Sequence, residues 1–167
     1  IGDSGQCAQD TTGCNDAAAV MNQYLNWVST HGNNRADLVL ILGDNAYNTG
    51  TDAEYTTGLF EAFENVLRNH VLWPVPGNHE FGASDSAAQT GPYYEAFTLP
   101  TIGEAGGTAS GTEAYYSFDF ANLHFAALDS HDTPRTAPFN PEINICPGGG
   151  EGGTMYNWLC ADLAATS

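Results

Sequence analysis

Positive charge is nearly absent from the sequence. There is no lysine, and three arginines face 20 acidic residues, so the formal net charge is −17 and the isoelectric point is about 4.1. A chain of this charge repels phosphate backbones, which excludes nucleic-acid binding through a basic face. Charged residues of both signs make up only 14% of the 167 residues, so the acidity reflects missing cations more than an excess of acids.

Long apolar runs are also missing. The longest, at residues 38–42, is far too short to cross a bilayer, so we expect no membrane-spanning segment. Apolar residues nevertheless reach 42% and aromatic residues 11%, which excludes a disordered acidic tail. The length predicts a single domain over residues 1–167, and no internal repeat or linker divides it.

Cysteine is scarce but even in number. No two of the four cysteines have the C-x-x-C spacing of tetrahedral zinc sites, although a zinc site is the alternative to disulfides. We expect an oxidising compartment and two local disulfides, although four cysteines allow three pairings. The expected pairs are Cys7–Cys14 and Cys146–Cys160. The chain starts at Ile1 without a signal peptide or an initiator methionine, so we expect that its front is trimmed.

The first half of the chain predicts alternating helices and strands. A helix is predicted at residues 17–30, capped by Asn15 or Asp16, and a second helix at residues 53–69. The first helix has an apolar stripe of Val20, Tyr24, Trp27 and Val28. The inner face of the second is formed by Leu59, Phe60, Phe63 and Leu67. Strands are predicted at residues 38–42, buried on both faces, and at 71–75, which together indicate a parallel sheet with βαβ connections.

The second half of the chain has a different pattern. Residues 82–111 are rich in small residues and predict an irregular segment with a short helical turn at residues 93–97. Two alternating stretches on either side of residues 121–122 predict a hairpin. A loop over residues 134–153 and a helix over residues 155–165 complete the chain. The overall pattern is that of an α/β fold.

Three short motifs stand at the ends of predicted strands. GDSG at residues 2–5 follows a strand that we infer to lie mostly upstream of Ile1. GDNAY at residues 43–47 follows the second strand, and GNHE at residues 77–80 follows the third. The glycine in front of each acid or amide lets the backbone turn sharply where the strand ends.

These motifs carry the residues that we expect to perform chemistry. The carboxyl ends of parallel strands lie along one edge of a sheet, where open α/β folds bind ligands. Asp3, Asp44 and Asn78 are therefore predicted to converge, with His79 beside them. Carboxylate and amide oxygens next to an imidazole form a ligand set for divalent and trivalent metal ions.

The order and spacing of the three motifs resemble those of the calcineurin-like metallophosphoesterases. Tyr47, three residues after Asp44, points to the purple acid phosphatase branch, and residues 111–119 and 128–130 resemble secreted bacterial members. The resemblance covers essentially the whole chain. It implies a secreted protein, extracellular or periplasmic, with a four-layer α/β/β/α sandwich. This chain would supply the first βαβαβ half, a hairpin and a helix of that fold.

The resemblance also implies a dinuclear metal centre that hydrolyses phosphate monoesters, as acid phosphatases do. In it Asp3 and Tyr47 bind the first metal, Asp44 bridges both metals, and Asn78 binds the second. The metals are expected to be iron with zinc, manganese or a second iron. Two such ions polarise the phosphoryl oxygens and lower the pKa of a bound water, so that hydroxide attacks in line.

Two further residues have roles in this interpretation. His79 is expected to contact the substrate or to protonate the leaving alkoxide, and Asn45 to touch the phosphate. The partner is then a phosphorylated small molecule, with no nucleic acid and no membrane. The sequence does not predict an oligomeric state.

The sequence departs from the family pattern in its histidines. The family completes its site with a V-x-x-H histidine and a G-H-x-H pair, and none of the five histidines here stands in either setting. The chain therefore looks like the front part of such a domain, and we expect it to be weakly active or inactive as it stands. His124 alternates with core residues of a predicted strand, which favours a structural role.

Two other functions remain as alternatives. One is a secreted module that binds metal or phosphate without turnover. The other is a serine esterase in which Ser4 of the GDSG motif is the nucleophile. In that class a late D-x-x-H supplies the base, but Asp129 and His131 are one residue too close. The block at residues 43–45 also has the wrong order for that class.

Overall fold

A computed structural model describes residues 1–5, 11–32, 35–131 and 154–166. The fold is of the mixed α/β class that the sequence predicts. The chain divides into two compact units, Ile1–Ser84 with Gly91–Tyr93, and Asp85–Thr90 with Tyr94–Ser167. The single domain expected over residues 1–167 stays a prediction.

The first unit contains a parallel strand pair and its connecting helices. Its elements are α1 (Thr11–Thr30), β1 (Leu38–Leu42), α2 (Asp52–Tyr55), a π-helical turn (Thr56–Glu61), α3 (Glu64–Leu67), β2 (Val71–Val75) and a 3₁₀ turn (Glu80–Gly82). β1 and β2 are parallel, with Leu38 opposite Val71 and Leu42 opposite Val75. Both strands have the predicted bounds, and their parallel pairing is confirmed.

The first residues of the chain also run alongside β1. The amino nitrogen of Ile1 donates to the carbonyl of Leu40 at 2.8 Å, and the Leu42 amide donates to the carbonyl of Ile1 at 2.6 Å. Ile1 thus bonds to Leu40 and Leu42, the two residues that flank Ile41 on β1, and this is the pattern of a parallel ladder. The Asp3 amide continues the pairing to the Gly43 carbonyl at 3.1 Å. Residues 1–3 therefore lie parallel to β1, whereas the strand inferred upstream of Ile1 stays a prediction.

Helix α1 differs from its prediction in its start and in its buried face. It begins at Thr11, so Asn15 and Asp16 lie inside the helix and do not cap it. Capping propensity locates a helix boundary weakly, and the preceding threonines also suit a helix start. The apolar stripe is partly wrong: Val28 is buried, but Val20 is 61% and Trp27 45% exposed, and Met21 is buried instead.

The second predicted helix is interrupted. A π-helical turn separates α2 from α3, and a capping box between Thr51 and Glu54 starts the segment. Each π turn contains more residues than an α turn, so positions beyond it rotate relative to a regular helix. Leu59 and Phe63 are buried as predicted, whereas Phe60 is 39% exposed. β1 likewise buries Ile41 but leaves Leu42 63% exposed, so the strand is not covered on both faces.

The second unit is built on an antiparallel hairpin. β3 (Tyr116–Phe120) and β4 (Leu123–Ala127) pair around residues 121–122, which confirms the predicted hairpin. Phe118 stacks on Phe125 with ring centroids 4.8 Å apart. Helix α5 (Thr154–Ala165) matches its prediction and packs Trp158 against Tyr115 of the segment before β3, at 5.1 Å between ring centroids.

The remaining elements and the cysteines are as follows. α4 (Pro92–Ala96) is the predicted short helical turn, and it lies where the chain passes from one unit to the other. Cys160 is disulfide-bonded. The predicted loop at residues 134–153 lies outside the described residues, as do Cys7, Cys146 and the side chain of Cys14, so both pairings stay predictions. None of the helices in the described ranges has the length and hydropathy needed to span a bilayer.

Candidate metal centre

Two strand ends bring Asp3 and Asp44 to the same edge of the first unit. Beyond Gly43 the backbone turns sharply, and both aspartates take left-handed conformations, with φ of 58° at Asp3 and 54° at Asp44. The Asp3 amide bonds to the Gly43 carbonyl, and the Gly5 amide bonds to the Asp44 carbonyl at 3.0 Å. The ladder that aligns residues 1–3 with β1 therefore also aligns the two carboxylates.

Tyr47 joins the two aspartates. Its phenolic oxygen is hydrogen-bonded to Oδ1 of Asp3 and lies 3.1 Å from Oδ2 of Asp44. The tyrosine is buried at 7% exposure, whereas Asp44 is half-buried and Asp3 is exposed. Three oxygen atoms from the GDSG and GDNAY motifs thus meet at one point, and the metal-binding roles expected for these residues stay predictions.

This meeting point has the chemistry of a cation site. Ion pairs among the described residues involve Glu64, Asp119 and Asp162, and neither Asp3 nor Asp44 has a basic partner. Two carboxylates that share a phenol without a nearby cation are stabilised when a metal ion supplies the missing charge. Carboxylate and phenolate oxygens are hard donors that suit iron, manganese and other hard ions.

Histidines and further acids do not complete the cluster. In the part of the chain that the structure describes, no group of three or more His, Cys, Asp or Glu side chains is arranged to hold a metal ion. The cluster has two carboxylates, and its third oxygen belongs to a tyrosine. The residues present therefore fit a metal through oxygen donors alone.

The GNHE loop after β2 touches Asp44 from the other side. A side chain at Gly77 would place its Cβ 2.3 Å from Oδ1 of Asp44, so only glycine permits this approach. The His79 amide donates to the same Oδ1 at 3.1 Å. Asn78 lies between these two contacts along the chain and has an exposed side chain. Its backbone neighbours are thus held at Asp44, which places Asn78 at the edge of the cluster.

His79 is oriented next to Tyr47. The two rings lie 4.1 Å apart between centroids and are tilted by 42°. Nδ1 of His79 is 2.7 Å from the carbonyl oxygen of Asn48, and a carbonyl only accepts, so Nδ1 carries a proton. The assignment of this tautomer leaves Nε2 as the ring nitrogen that can exchange a proton with another group.

Asn45 and Ser4 are placed differently from the roles considered for them. Asn45 is fully buried, and its side-chain Nδ2 donates to the Val75 carbonyl at 3.3 Å, so the phosphate contact stays a prediction that this burial disfavours. Ser4 is 8% exposed, and its hydroxyl has no hydrogen-bond partner in the described ranges. A serine nucleophile needs an adjacent base for activation, so this placement speaks against the esterase alternative.

Glu80 is a further residue of the site, although its place in the GNHE motif alone predicts no role for it. It is fully buried, and its Oε2 accepts from the amides of Gly77 at 2.6 Å and Asp44 at 3.0 Å. Its Oε1 accepts from Asn45 at 2.6 Å and Ala46 at 3.2 Å. The signal in the sequence is a carboxylate directly after a strand-end turn, where unpaired backbone N–H groups are expected.

Comparison with known proteins addresses the family. A family model described as Metallophos, calcineurin-like phosphoesterase, matches residues 1–161. Searches of curated proteins and of solved structures return no match. The match spans nearly the whole chain and includes all three strand-end motifs and every residue of the oxygen cluster. Metal-dependent phosphoester hydrolysis, with phosphorylated small molecules as substrates, is the activity of that family in general. The chain belongs to the calcineurin-like phosphoesterase family.

Proposed function

We propose that this site hydrolyses phosphate monoesters with a dinuclear metal centre of the purple acid phosphatase type. The observation that carries the proposal is the meeting of Asp3, Asp44 and Tyr47 oxygens at the carboxyl edge of the parallel strands. In the sequence, the branch is indicated by Tyr47, three residues after Asp44. In the structure, the phenol oxygen of Tyr47 lies between the two carboxylates. Family membership supports the general reaction, and Tyr47 supports the branch.

The proposal gives each metal a separate set of donors. Asp3 and Tyr47 would hold the first ion and Asn78 the second, with iron in the first position and zinc, manganese or iron in the second. Asp44 suits a bridging role because its Oδ2 faces Tyr47 and its Oδ1 faces the GNHE loop. When bound, the two ions supply charge stabilisation at the phosphoryl oxygens and a nucleophile at moderate pH.

His79 suits the proton-transfer step. The bond from Nδ1–H to the Asn48 carbonyl holds the ring, and the contact with Tyr47 holds it next to the cluster. In the imidazolium form, Nδ1–H stays bonded to the Asn48 carbonyl and Nε2–H can donate its proton to the leaving alkoxide or a hydrogen bond to the phosphate, which leaves the neutral Nδ1–H ring. His79 thus presents a proton donor beside the cluster of oxygen ligands without being one of the ligands.

We also propose that the protein works in an oxidising, extracellular or periplasmic compartment. The disulfide at Cys160 and the even number of cysteines support this location, because reducing compartments keep thiols free.

Metal titration and turnover of the purified chain test the proposed function. We expect ferric iron to bind with a visible absorption band from the phenolate, and p-nitrophenyl phosphate to be hydrolysed weakly until a chelator removes the metals. Y47F keeps the ring but loses the oxygen, so the band should disappear. Y24F is the matched control, because Tyr24 bonds to His70 away from the cluster. Metal binding without turnover would instead support the non-catalytic binding module. The absence of both metal binding and turnover would reject both functions.

The leaving group tests His79 separately. H79Q should slow hydrolysis of an alkyl phosphate by roughly 10²- to 10⁴-fold, because its alkoxide needs a proton. Hydrolysis of p-nitrophenyl phosphate should change far less, because nitrophenolate leaves without protonation. H31Q, at the exposed end of α1, is the control. Equal losses with both substrates would show that His79 is not the proton donor.

A further inference from the structure

We propose that Glu80 is a positioning residue that holds the two ligand-bearing loops of the site at a fixed separation. The proposal rests on the proposed function, because the loops carry metal ligands only if that function is correct. The hydrogen bonds of Glu80 do not depend on it. One carboxylate bonds to the amides of Gly77, at the end of β2, and of residues 44–46, at the end of β1. No other side chain among the described residues connects both strand ends through backbone amides in this way.

The bonding pattern explains why a carboxylate is tolerated in the interior. Its four bonds are all to backbone N–H groups, and no basic side chain in the described ranges pairs with it. Successive N–H groups in a sharp turn point inward and form an anion-binding concavity. The same amides have no strand partner after β1 ends, so without Glu80 they would be buried and unpaired.

Close packing holds the chain around Glu80. The left-handed Gly50, with φ of 69°, lies so near that a Cβ there would be 2.7 Å from the Cα of Glu80. Gly43 approaches the backbone of Gly77 in the same manner, since a Cβ on Gly43 would lie 2.9 Å from the Gly77 backbone. The chain on both sides of Asp44 and Tyr47 is therefore packed closely against the loop that carries Glu80.

The consequence is a link between the metal ligands that does not itself use a ligand atom. The Asp44 amide donates one hydrogen bond to Glu80, and the amide of Gly77, which directly precedes Asn78, donates another. If the carboxylate is removed, both loops lose their common anchor. The donors for the second metal then separate from Asp44, and metal affinity should fall without any change in the ligands themselves.

The test compares E80Q with wild type and with E104Q. Glu104 is an exposed carboxylate that also accepts loop amides, those of Thr101 and Ile102, so it is the matched control. We expect E80Q to bind metal roughly 10- to 100-fold more weakly, the usual effect of removing a group that orients ligands. Raised metal concentration should restore its turnover, whereas E104Q should match the wild type.

Hydrogen exchange of the metal-free chain separates this proposal from the proposed function. In wild type the amides of residues 44–46 and 77 should be protected, and in E80Q both groups should lose protection together. This result supports the link even if the wild type binds no metal, an outcome that would reject the proposed function alone. Unchanged protection, or unchanged metal affinity in folded E80Q, would overturn the positioning role.

A second variant covers a failure to fold. E80D keeps the charge but shortens the reach by one methylene, and it should show intermediate exchange at the same two loops. If both variants unfold while E104Q folds, Glu80 serves the stability of the whole unit, and the positioning role is rejected.

Discussion

Two of the four non-glycine residues with a left-handed backbone among the described residues are the carboxylates of the oxygen cluster. Asp3 and Asp44 both hold left-handed conformations, which disfavour side chains other than glycine, asparagine and aspartate. Such conformations cost of order 1 kcal/mol each and persist where the surrounding structure imposes them. Here the ladder beside β1 and the approach of Gly77 impose them. The backbone thus brings both carboxylates to one point, where they repel each other. This arrangement favours metal binding and lowers the stability of the metal-free protein.

Replacement of Asp44 should show this conflict. D44N keeps the shape, tolerates the left-handed backbone and retains an oxygen for the His79 amide, but it removes one of the two charges. Without metal, we expect the variant to be as stable as wild type or more stable by up to about 1 kcal/mol, because repulsion from Asp3 is lost. Metal affinity should fall sharply.

Urea unfolding in chelator and metal titration measure the two sides of this prediction. D52N, at an exposed aspartate in the first turn of α2, is the control for a charge change alone. A large loss of stability in metal-free D44N would show that the carboxylate serves the fold and not a cation.

At the scale of elements, strands were predictable and helix faces were not. The observed bounds of β1, β2 and the hairpin agree closely with the predicted ones, because Gly, Pro and Asn end each apolar run sharply. The predicted helix face is wrong where the pattern assumed a regular 3.6-residue turn, as at Phe60 within the π-helical turn. Val20 and Trp27 are exposed because periodicity alone does not tell which apolar side the neighbouring elements cover.

The candidate site shows the same division. The approach of Asp3 to Asp44 could be predicted, because strand ends on one sheet edge are a property of topology. The place of Tyr47 follows only from the family resemblance. The role of Glu80 and the burial of Asn45 could not, because they depend on which amides the turns leave unpaired. Hydrogen bonds of irregular backbone have no period in the sequence.

The elements of the second unit are joined by one histidine. His124 on β4 bonds through Nδ1 to Asp119 on β3 and through Nε2 to Asp162 on α5, each at 2.7 Å. Carboxylates accept but do not donate, so both ring nitrogens carry protons in this arrangement. Ser117 and the Thr108 amide also bond to the buried Asp162, at 2.7 and 2.8 Å. The histidine role expected from the sequence, a structural one, fits this placement.

These contacts predict how stability depends on pH. The hydrogen bonds to Asp119 and then to Asp162 raise the pKa of His124 above its ordinary value of 6.5. Burial acts to raise the pKa of Asp162, but bonds from Ser117, His124 and Thr108 together hold it below 3.8. The histidine contribution is therefore complete below pH 6.5 and lost as pH rises through the raised pKa. The aspartate contribution is complete above pH 3.8 and lost as pH falls through the lowered pKa.

Unfolding of wild type and H124Q across pH measures this contribution. The stability difference between them should be largest between about pH 4 and pH 6.5 and should shrink on either side of that range. H31Q is the control, because in the wild type the His31 ring bonds only to nearby groups at the end of α1. The stability difference between H31Q and wild type should not follow this pattern. A difference for H124Q that stays constant from pH 5 to pH 9 would contradict the prediction.

The charge of the whole molecule is large enough to oppose folding. With a net charge of −17 and three arginines, repulsion between carboxylates exceeds attraction to cations. In the described part of the chain, arginine forms one ion pair with a carboxylate, between the exposed Arg68 and Glu64. Added salt therefore screens mainly repulsion, and it should stabilise the fold, whereas salt weakens proteins that rely on surface ion pairs.

Urea unfolding at pH 7 in low and in moderate salt tests the sign of this effect. Urea is uncharged, so it does not itself screen, and the midpoint should rise by roughly 0.5 M as salt increases, with an unchanged slope. Near pH 4.1, where the net charge approaches zero, the same addition should change the midpoint little. The contrast separates screening from general salt effects on apolar burial, which would act at both pH values. A midpoint that falls with salt at pH 7 would mean that attraction dominates despite the net charge.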